Sequence, residues 1–171
     1  MKKVWMSLAI GMLSLPASAD ILGLSVGAHA GAARLEYDGN SDYGYEYGVD
    51  ASYRLTSIFS VNAGLAIGSG EVDSDLTTAK NDIDYTSVPI TLQADIPLLV
   101  GSIYARAGGN YYEVDRKLAG VKHSDDGWGF AGGAGFVLGI IPLLDLSLGY
   151  EYRDMGDVDN NAILLSVGFS L

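Results

Sequence analysis

The sequence predicts an all-β protein, an eight-stranded antiparallel up-and-down transmembrane β-barrel occupying residues 20–171 behind a secretion signal at 1–19. Three observations carry that expectation. Eight segments alternate strictly between apolar and small or polar residues, their connections alternate between short and long, and aromatic residues gather near one end of the alternating segments.

The first nineteen residues have the three parts of a signal peptide: Lys2 and Lys3, an apolar run from Val4 to Leu15, and Pro16-Ala17-Ser18-Ala19. Small residues at Ala17 and Ala19 suit cleavage before Asp20. The competing reading, a retained anchor, needs about 20 apolar residues to span a bilayer, and this run is shorter. Cleavage leaves 152 of 171 residues, enough for one domain.

The signal holds two of the ten basic residues and none of the 21 acidic ones, so the mature part carries eight against 21, a formal charge of −13. That balance disfavours nucleic acid, or an anionic lipid face, as a partner, since both call for clustered Lys and Arg. The chain has no cysteine, hence no disulfide framework and no thiolate metal site. Eleven Tyr and 23 Gly accompany a positive mean hydropathy, so apolar and charged residues are both plentiful and must be segregated.

From Tyr43 to Leu55 the odd positions are Tyr43, Tyr45, Tyr47, Val49, Ala51, Tyr53 and Leu55, against Gly44, Glu46, Gly48, Asp50, Ser52 and Arg54. Period two over thirteen residues is a strand with one apolar face, longer than the usual soluble strand and suited to the ~9–11 residues of a tilted membrane strand. The pattern recurs through Leu22–Ala30, Phe59–Ile67, Val88–Ile96, Ile103–Tyr111, Trp128–Leu138, Leu144–Tyr152 and Ile163–Leu171. Pro89 falls inside one of these, where a closed barrel has no free edge to absorb the missing N–H, so a bulge is expected there. Residues 131–144 are apolar enough to suggest a helix, but Pro142 and the glycines break it and the small–large alternation is that of a strand.

Short connections are expected after the second, fourth and sixth strands and longer polar loops after the first, third, fifth and seventh, the order required when both termini are periplasmic. Tyr43, Tyr45, Tyr47, Tyr111, Tyr112, Trp128, Phe130, Tyr150 and Tyr152 fall near the predicted outer ends, at the height of a membrane interface. A soluble lipocalin-like barrel would place its apolar face inside instead. Charges of both signs on the small-residue face argue for the membrane arrangement, with Glu46, Asp50, Arg54, Asp95, Arg106, Glu151 and Arg153 in the lumen. Such buried charges must pair with one another, and eight strands enclose only enough room for side chains, so an ion-paired plug is expected rather than an open pore.

No motif specifies a catalytic, cofactor-binding or metal-binding site. Gly127-Trp128-Gly129-Phe130-Ala131-Gly132 matches G-x-G-x-x-G but opens no helix, so the phosphate-cradling context is missing. His123-Ser124-Asp125 is consecutive and cannot align base, nucleophile and orienter. His29, with Ser25 on its own face and Glu46 or Asp50 on the next strand, is the one arrangement open to a triad. The predicted outer loops are acidic, at Asp38, Asp42, Glu71, Asp73, Asp75, Asp82, Asp84, Asp115, Asp125, Asp126, Asp154, Asp157 and Asp159. Asp73-x-Asp75 and Asp157-x-Asp159-Asn160 lack the glycine and terminal glutamate of a calcium loop, so bridging of divalent cations to lipopolysaccharide phosphates is the weaker reading. Arg116, Lys117, Lys122 and His123 stand among these acids, where they could contact lipid phosphates.

Taken in order, Ser87-Val88-Pro89-Ile90, Gly149-Tyr150-Glu151-Tyr152 and the closing Val167-Gly168-Phe169-Ser170-Leu171 resemble the eight-stranded OmpA/OmpX-like outer-membrane β-barrel family across the whole mature chain. The resemblance implies an outer-membrane location and a final strand, Val167, Phe169 and Leu171, read by the barrel assembly machinery. It also implies roles in adhesion, serum resistance or envelope integrity, and a barrel with no peptidoglycan-binding domain after it. The expected function is non-enzymatic, with outer-membrane lipid and lipopolysaccharide as neighbours, a surface or host ligand of unspecified identity, and a monomeric state. The alternatives are a lipid A-modifying enzyme and a narrow channel for small or apolar solutes. The barrel is tested by heat-modifiable migration of the outer-membrane fraction on SDS gels: two bands, boiled and unboiled, are expected. A single band at all temperatures, in the soluble periplasm, would overturn the expectation.

Overall fold

The computed structural model describes residues 23–73, 80–118, 121–141 and 143–170. Eight strands follow in order: β1 Leu24–Tyr37, β2 Asn40–Arg54, β3 Phe59–Asp73, β4 Lys80–Leu98, β5 Gly101–Leu118, β6 Val121–Ile141, β7 Leu144–Met155 and β8 Val158–Ser170. Each pairs antiparallel with the next and β8 closes on β1, so the sheet has no edge. Closure satisfies the backbone groups within the wall, the condition for β-structure in hydrocarbon. The proposed signal peptide and Leu171 lie outside the described residues.

Outward positions carry the apolar set. Val61, Ile90, Leu92, Ile103, Leu148, Ile163 and Leu165 are exposed and form a continuous belt. Inward positions at the same height carry small and polar residues such as Asn62, Ser87, Thr91 and Asn110, all buried.

Toward the outer end this polarity inverts. On β1 the outward row Ala28, Ala30 and Ala32 gives way to Arg34 and Glu36, while the inward row His29 and Gly31 gives way to Ala33 and Leu35. On β4, β5 and β7 the inward row becomes Ile83 and Tyr85, Tyr112 and Val114, and Met155. The same sheet thus runs from a membrane segment, apolar outside, into a segment built as a soluble barrel, apolar inside.

That inversion corrects the expected loop lengths. β1 and β2 are joined by only Asp38 and Gly39, both at positive φ (50° and 81°), the requirement of a type I′ hairpin turn. β7 and β8 are joined by Gly156 and Asp157, with Gly156 at φ 72°. β5 and β6 remain paired out to Leu118 opposite Val121. Over the described residues, the segments expected to be long polar loops are strand extensions, because a two-sided polar or phase-inverted strand loses the apolar-out signal that marks membrane strands. Connections at the opposite end are also short, with Leu99 and Val100 between β4 and β5.

Pro89 is held without the expected bulge. Ala63 faces Ile90 and Ala66 faces Ser87 in unchanged register, and the ladder is interrupted only where Gly64 and Leu65 oppose Pro89 and Val88. On its other side β4 stays paired with β5 through Pro89 and Asn110. A missing bond, rather than an added residue, accommodates the ring. Among the described residues a register shift falls instead between Gly139 and Ile141 on β6.

Strand approach requires glycine at Gly31, where a Cβ would run into the backbone carbonyl of Ile163 on β8. Because that obstacle is backbone, Gly31→Ala is expected to destabilise the barrel by about 1–3 kcal/mol. Urea unfolding from lipid vesicles, compared with Ala32→Gly on the neighbouring outward position, measures the difference.

Candidate functional site

Three tiers fill the lumen. At the end bearing the β2–β3 and β4–β5 turns, a polar vestibule of about 440 Å³ is lined by Ser25, Ser52, Arg54, Asn62, Gln93, Asp95, Ser147 and Ser166, with Asp50, Tyr104 and Arg106 also facing it. Tyr104 fits because Gly135 and Gly149 leave room for its ring and hydroxyl.

Next comes a buried charged layer. Glu46 on β2 accepts hydrogen bonds from Arg153 Nη1 at 2.7 Å, the Tyr85 hydroxyl at 2.6 Å and Asn160 Nδ2 at 2.9 Å. Arg153 also pairs with Glu151, and Glu151 with Arg106 Nη2 at 2.6 Å. His29 Nδ1 stands 2.6 Å from Asp50 Oδ2, and His29 Nε2 3.7 Å from Glu46 Oε1. The chain Asp50–His29–Glu46–Arg153–Glu151–Arg106, with Tyr85 and Asn160, ties together β1, β2, β4, β5, β7 and β8. Ser87 adds a bond to Asn110 at 2.6 Å.

Above it sits an apolar plug of Leu35, Val72, Ile83, Tyr85, Tyr112, Val114, Met155 and Val158, with Tyr37 packed against it. Arg116 caps the plug, its guanidinium 4.8 Å from the Tyr37 ring centroid and 3.3 Å from Asp157.

Of the seven charges expected in the lumen, Glu46, Asp50, Arg106, Glu151 and Arg153 converge. Arg54 and Asp95 do not join them: Arg54 is exposed at the vestibule, and Asp95 accepts a bond from Gln93 at 2.9 Å. His29, Tyr85 and Asn160 complete the layer. Tyr85 and Asn160 precede the segments that announced β4 and β8, although the inward row Ile83, Tyr85, Ser87 preserves period two.

Tyr43, Tyr45, Tyr47, Trp128, Phe130 and Tyr150 are exposed on the outer wall, and Tyr111 and Tyr152 are partly so. Tyr111 meets Trp128 edge-on at 5.5 Å and Tyr45 stacks on Tyr47 at 6.4 Å. Tyr112 departs from the expectation: it turns inward and is 6% exposed, in a space left by Gly127. The glycine-rich motif therefore lies within β6 as strand, where its first glycine seats a tyrosine.

The triad alternatives dissolve on geometry. Both ring nitrogens of His29 face carboxylates, and Ser25 lies against Ser170 at 3.4 Å. His123 and Ser124 are successive strand residues on opposite faces, with Ser124 bonded to Asp115. The basic group near the outer end is likewise engaged: Lys117 pairs with Asp84 at 3.4 Å, Lys122 with Asp115 at 2.9 Å, and Arg116 faces inward. Asp157 and Asp159 are taken up by Arg116 and the Tyr152 hydroxyl, so Asp157-x-Asp159-Asn160 does not converge on one point. Asp75 lies outside the described residues.

The ion-paired layer generates a graded expectation. Arg153→Met leaves Glu46 and Glu151 buried without their shared partner and should cost roughly 3–5 kcal/mol. Lys117→Met breaks a half-exposed pair and should cost no more than about 1 kcal/mol. Unfolding of both variants from lipid vesicles in urea checks the contrast.

The sequence profile of the outer membrane protein beta-barrel domain family matches residues 6–170. No curated protein sequence matches the chain significantly. Neisserial surface protein A superposes with a TM-score of 0.71 at 16% identity, over 87% of this chain and 97% of that one. Ail of Yersinia pestis, in complex with the heparin analogue sucrose octasulfate, gives 0.63 at 20% identity over 86% and 97%. OprG of Pseudomonas aeruginosa gives 0.63 at 18% identity over 87% and 97%. At these identities the structural likeness is one of fold.

Proposed function

Because the chain belongs to the outer membrane protein beta-barrel domain family, we propose that this outer-membrane barrel is non-enzymatic and works through its outer hairpins and its rigidity in the envelope, not by passing solutes. The observation that carries this reading is the double closure of the lumen. The vestibule ends at the charged layer, where Glu46 and Arg153 are about 1% exposed, and the apolar plug lies beyond it. Filling of this kind is what eight strands permit. The alternative of a lipid A-modifying enzyme requires a nucleophile or an activated water beside a base. His29, the candidate base, has carboxylates at both nitrogens.

At the outer end Asp84, Asp126 and Asp154 stand on the outward rows near the aromatic rim, Asp84 paired with Lys117, and Asp42 lies near the tip of the β1–β2 hairpin opposite Leu35. Ail binds a polyanionic heparin analogue in its solved complex. An acidic rim disfavours that chemistry here and favours a basic partner, or lipopolysaccharide phosphates reached through divalent cations. Val167 and Phe169 alternate outward on β8 ahead of Leu171, which suits reading of this strand by the barrel assembly machinery. The closed wall also has no edge through which a second copy would pair, in keeping with a monomer.

Planar-bilayer recordings of the purified barrel are expected to show no stable porin-sized conductance, and lipid A from cells with and without the protein is expected to have the same mass spectrum. Cells lacking it should be more sensitive to detergent. Wild-type protein should restore resistance, and a variant with Asp42, Asp84, Asp126 and Asp154 changed to Asn should not. Large stable openings or altered lipid A would refute the reading.

A further inference from the structure

His29 occupies a seat made for it. A Cβ at Gly48, its partner across the β1–β2 ladder, would stand 2.5 Å from His29 Nε2 and 2.7 Å from Cε1, so the ring fills space that any other residue at 48 would take. One face of that seat is Asp50, 2.6 Å from Nδ1. On the other side, Nε2 and Glu46 Oε1 are both buried, both lack a hydrogen-bond partner, and are 3.7 Å apart. Two unsatisfied polar atoms facing each other in a closed lumen carry a desolvation cost that one proton would relieve.

The charges around the ring add a second argument. Glu46 and Asp50 come from β2 and Glu151 from β7, against Arg106 on β5 and Arg153 on β7. Tyr85 on β4 and Tyr104 on β5 also face the layer, and β8 contributes the neutral Asn160 and Ser166. At this height the inward positions of β3 and β6, Gly64, Ala66, Ala131 and Gly133, carry no charge. Three carboxylates against two guanidiniums leave one negative charge unmatched in a region of low dielectric.

The geometry points to His29 as a proton-operated latch of the lumen: on taking up a proton it donates from both ring nitrogens, to Asp50 and to Glu46, and brings the buried layer to zero net charge. On losing the proton the ring keeps one donor, and one carboxylate stands unmatched. The proton comes and goes through the vestibule, which Asp50 lines with a side chain 25% exposed, while the ring behind it is 2% exposed. The doubly donating ring has its two carboxylate partners only in the folded barrel. A ring that holds the second proton therefore closes one more contact between β1 and β2 than a ring that lacks it.

The full mature chain, folded in lipid vesicles, tests the latch. The midpoint temperature of the heat-induced gel shift is compared between about pH 8 and about pH 5.5, the span over which histidine titrates. Wild type and the control His123→Gln should rise on acidification by on the order of 3 °C, and His29→Gln should lose that step. An equal step in His29→Gln, or none in wild type, overturns the proposal. Should His29→Gln fail to fold, the ring nitrogens of ¹⁵N-histidine-labelled wild type are read directly by NMR at about pH 5.5. Two protonated nitrogens on His29 support the latch, and a neutral ring overturns it.

Discussion

The guanidinium of Arg153 lies between Glu46 and Glu151 inside a sheet that closes on itself, and the rest of the molecule is arranged so that these charges can be there. A barrel wall in hydrocarbon must satisfy its own backbone groups, which forces closure. At the height of the charged layer the closed eight-stranded interior is filled by side chains, so the polar groups that face inward there must satisfy one another. Glu46 answers with three donors from three strands, Arg153 on β7, Tyr85 on β4 and Asn160 on β8. Each of these bonds crosses the lumen, so the layer braces the barrel across its width as the ladders brace it around its circumference.

The inversion of polarity along the strands follows from a change of solvent rather than of fold. Where the wall meets hydrocarbon, outward residues are apolar and the lumen takes the polar ones. Where it rises into water, Arg34, Glu36, Asp84 and Asp154 face out, and Leu35, Ile83, Val114 and Met155 face in. The exposed tyrosines and Trp128 mark the boundary, since an amphipathic ring suits the interface. The charged layer sits beneath the apolar plug, so the groups costliest to leave half-hydrated are shielded from the outer face. At the end bearing the β2–β3 and β4–β5 turns, Arg54 and Asp95 line the vestibule within reach of water and need no such bracing.

Much of this is legible in the sequence. Alternation placed all eight strands, and the lumen charges Glu46, Asp50, Arg106, Glu151 and Arg153 were readable as inward from parity alone. The outer ends were not. Leu35 and Glu36, or Ile83 and Asp84, still alternate, but their phase is opposite to that of the membrane segment, and acids next to apolar residues read as loop. Tyr112 was misplaced for the same reason, as its neighbour Tyr111 does face outward. Pro89 suggested a bulge because local rules count an N–H and not the option of leaving one rung of the ladder open.

By itself, then, the sequence determined the strand count, the sidedness of each residue in the membrane segment and the sign of the charges left inside, because each follows from period two along a single strand. Only the tertiary structure decided that His29 stands between two carboxylates, that Tyr85 and Asn160 share Glu46 with Arg153, and that the outer strands close over an apolar plug. Those facts depend on the stagger between strands far apart in the chain, such as Glu46 and Asn160. Stagger is set by how the whole sheet closes, and no local pattern records it.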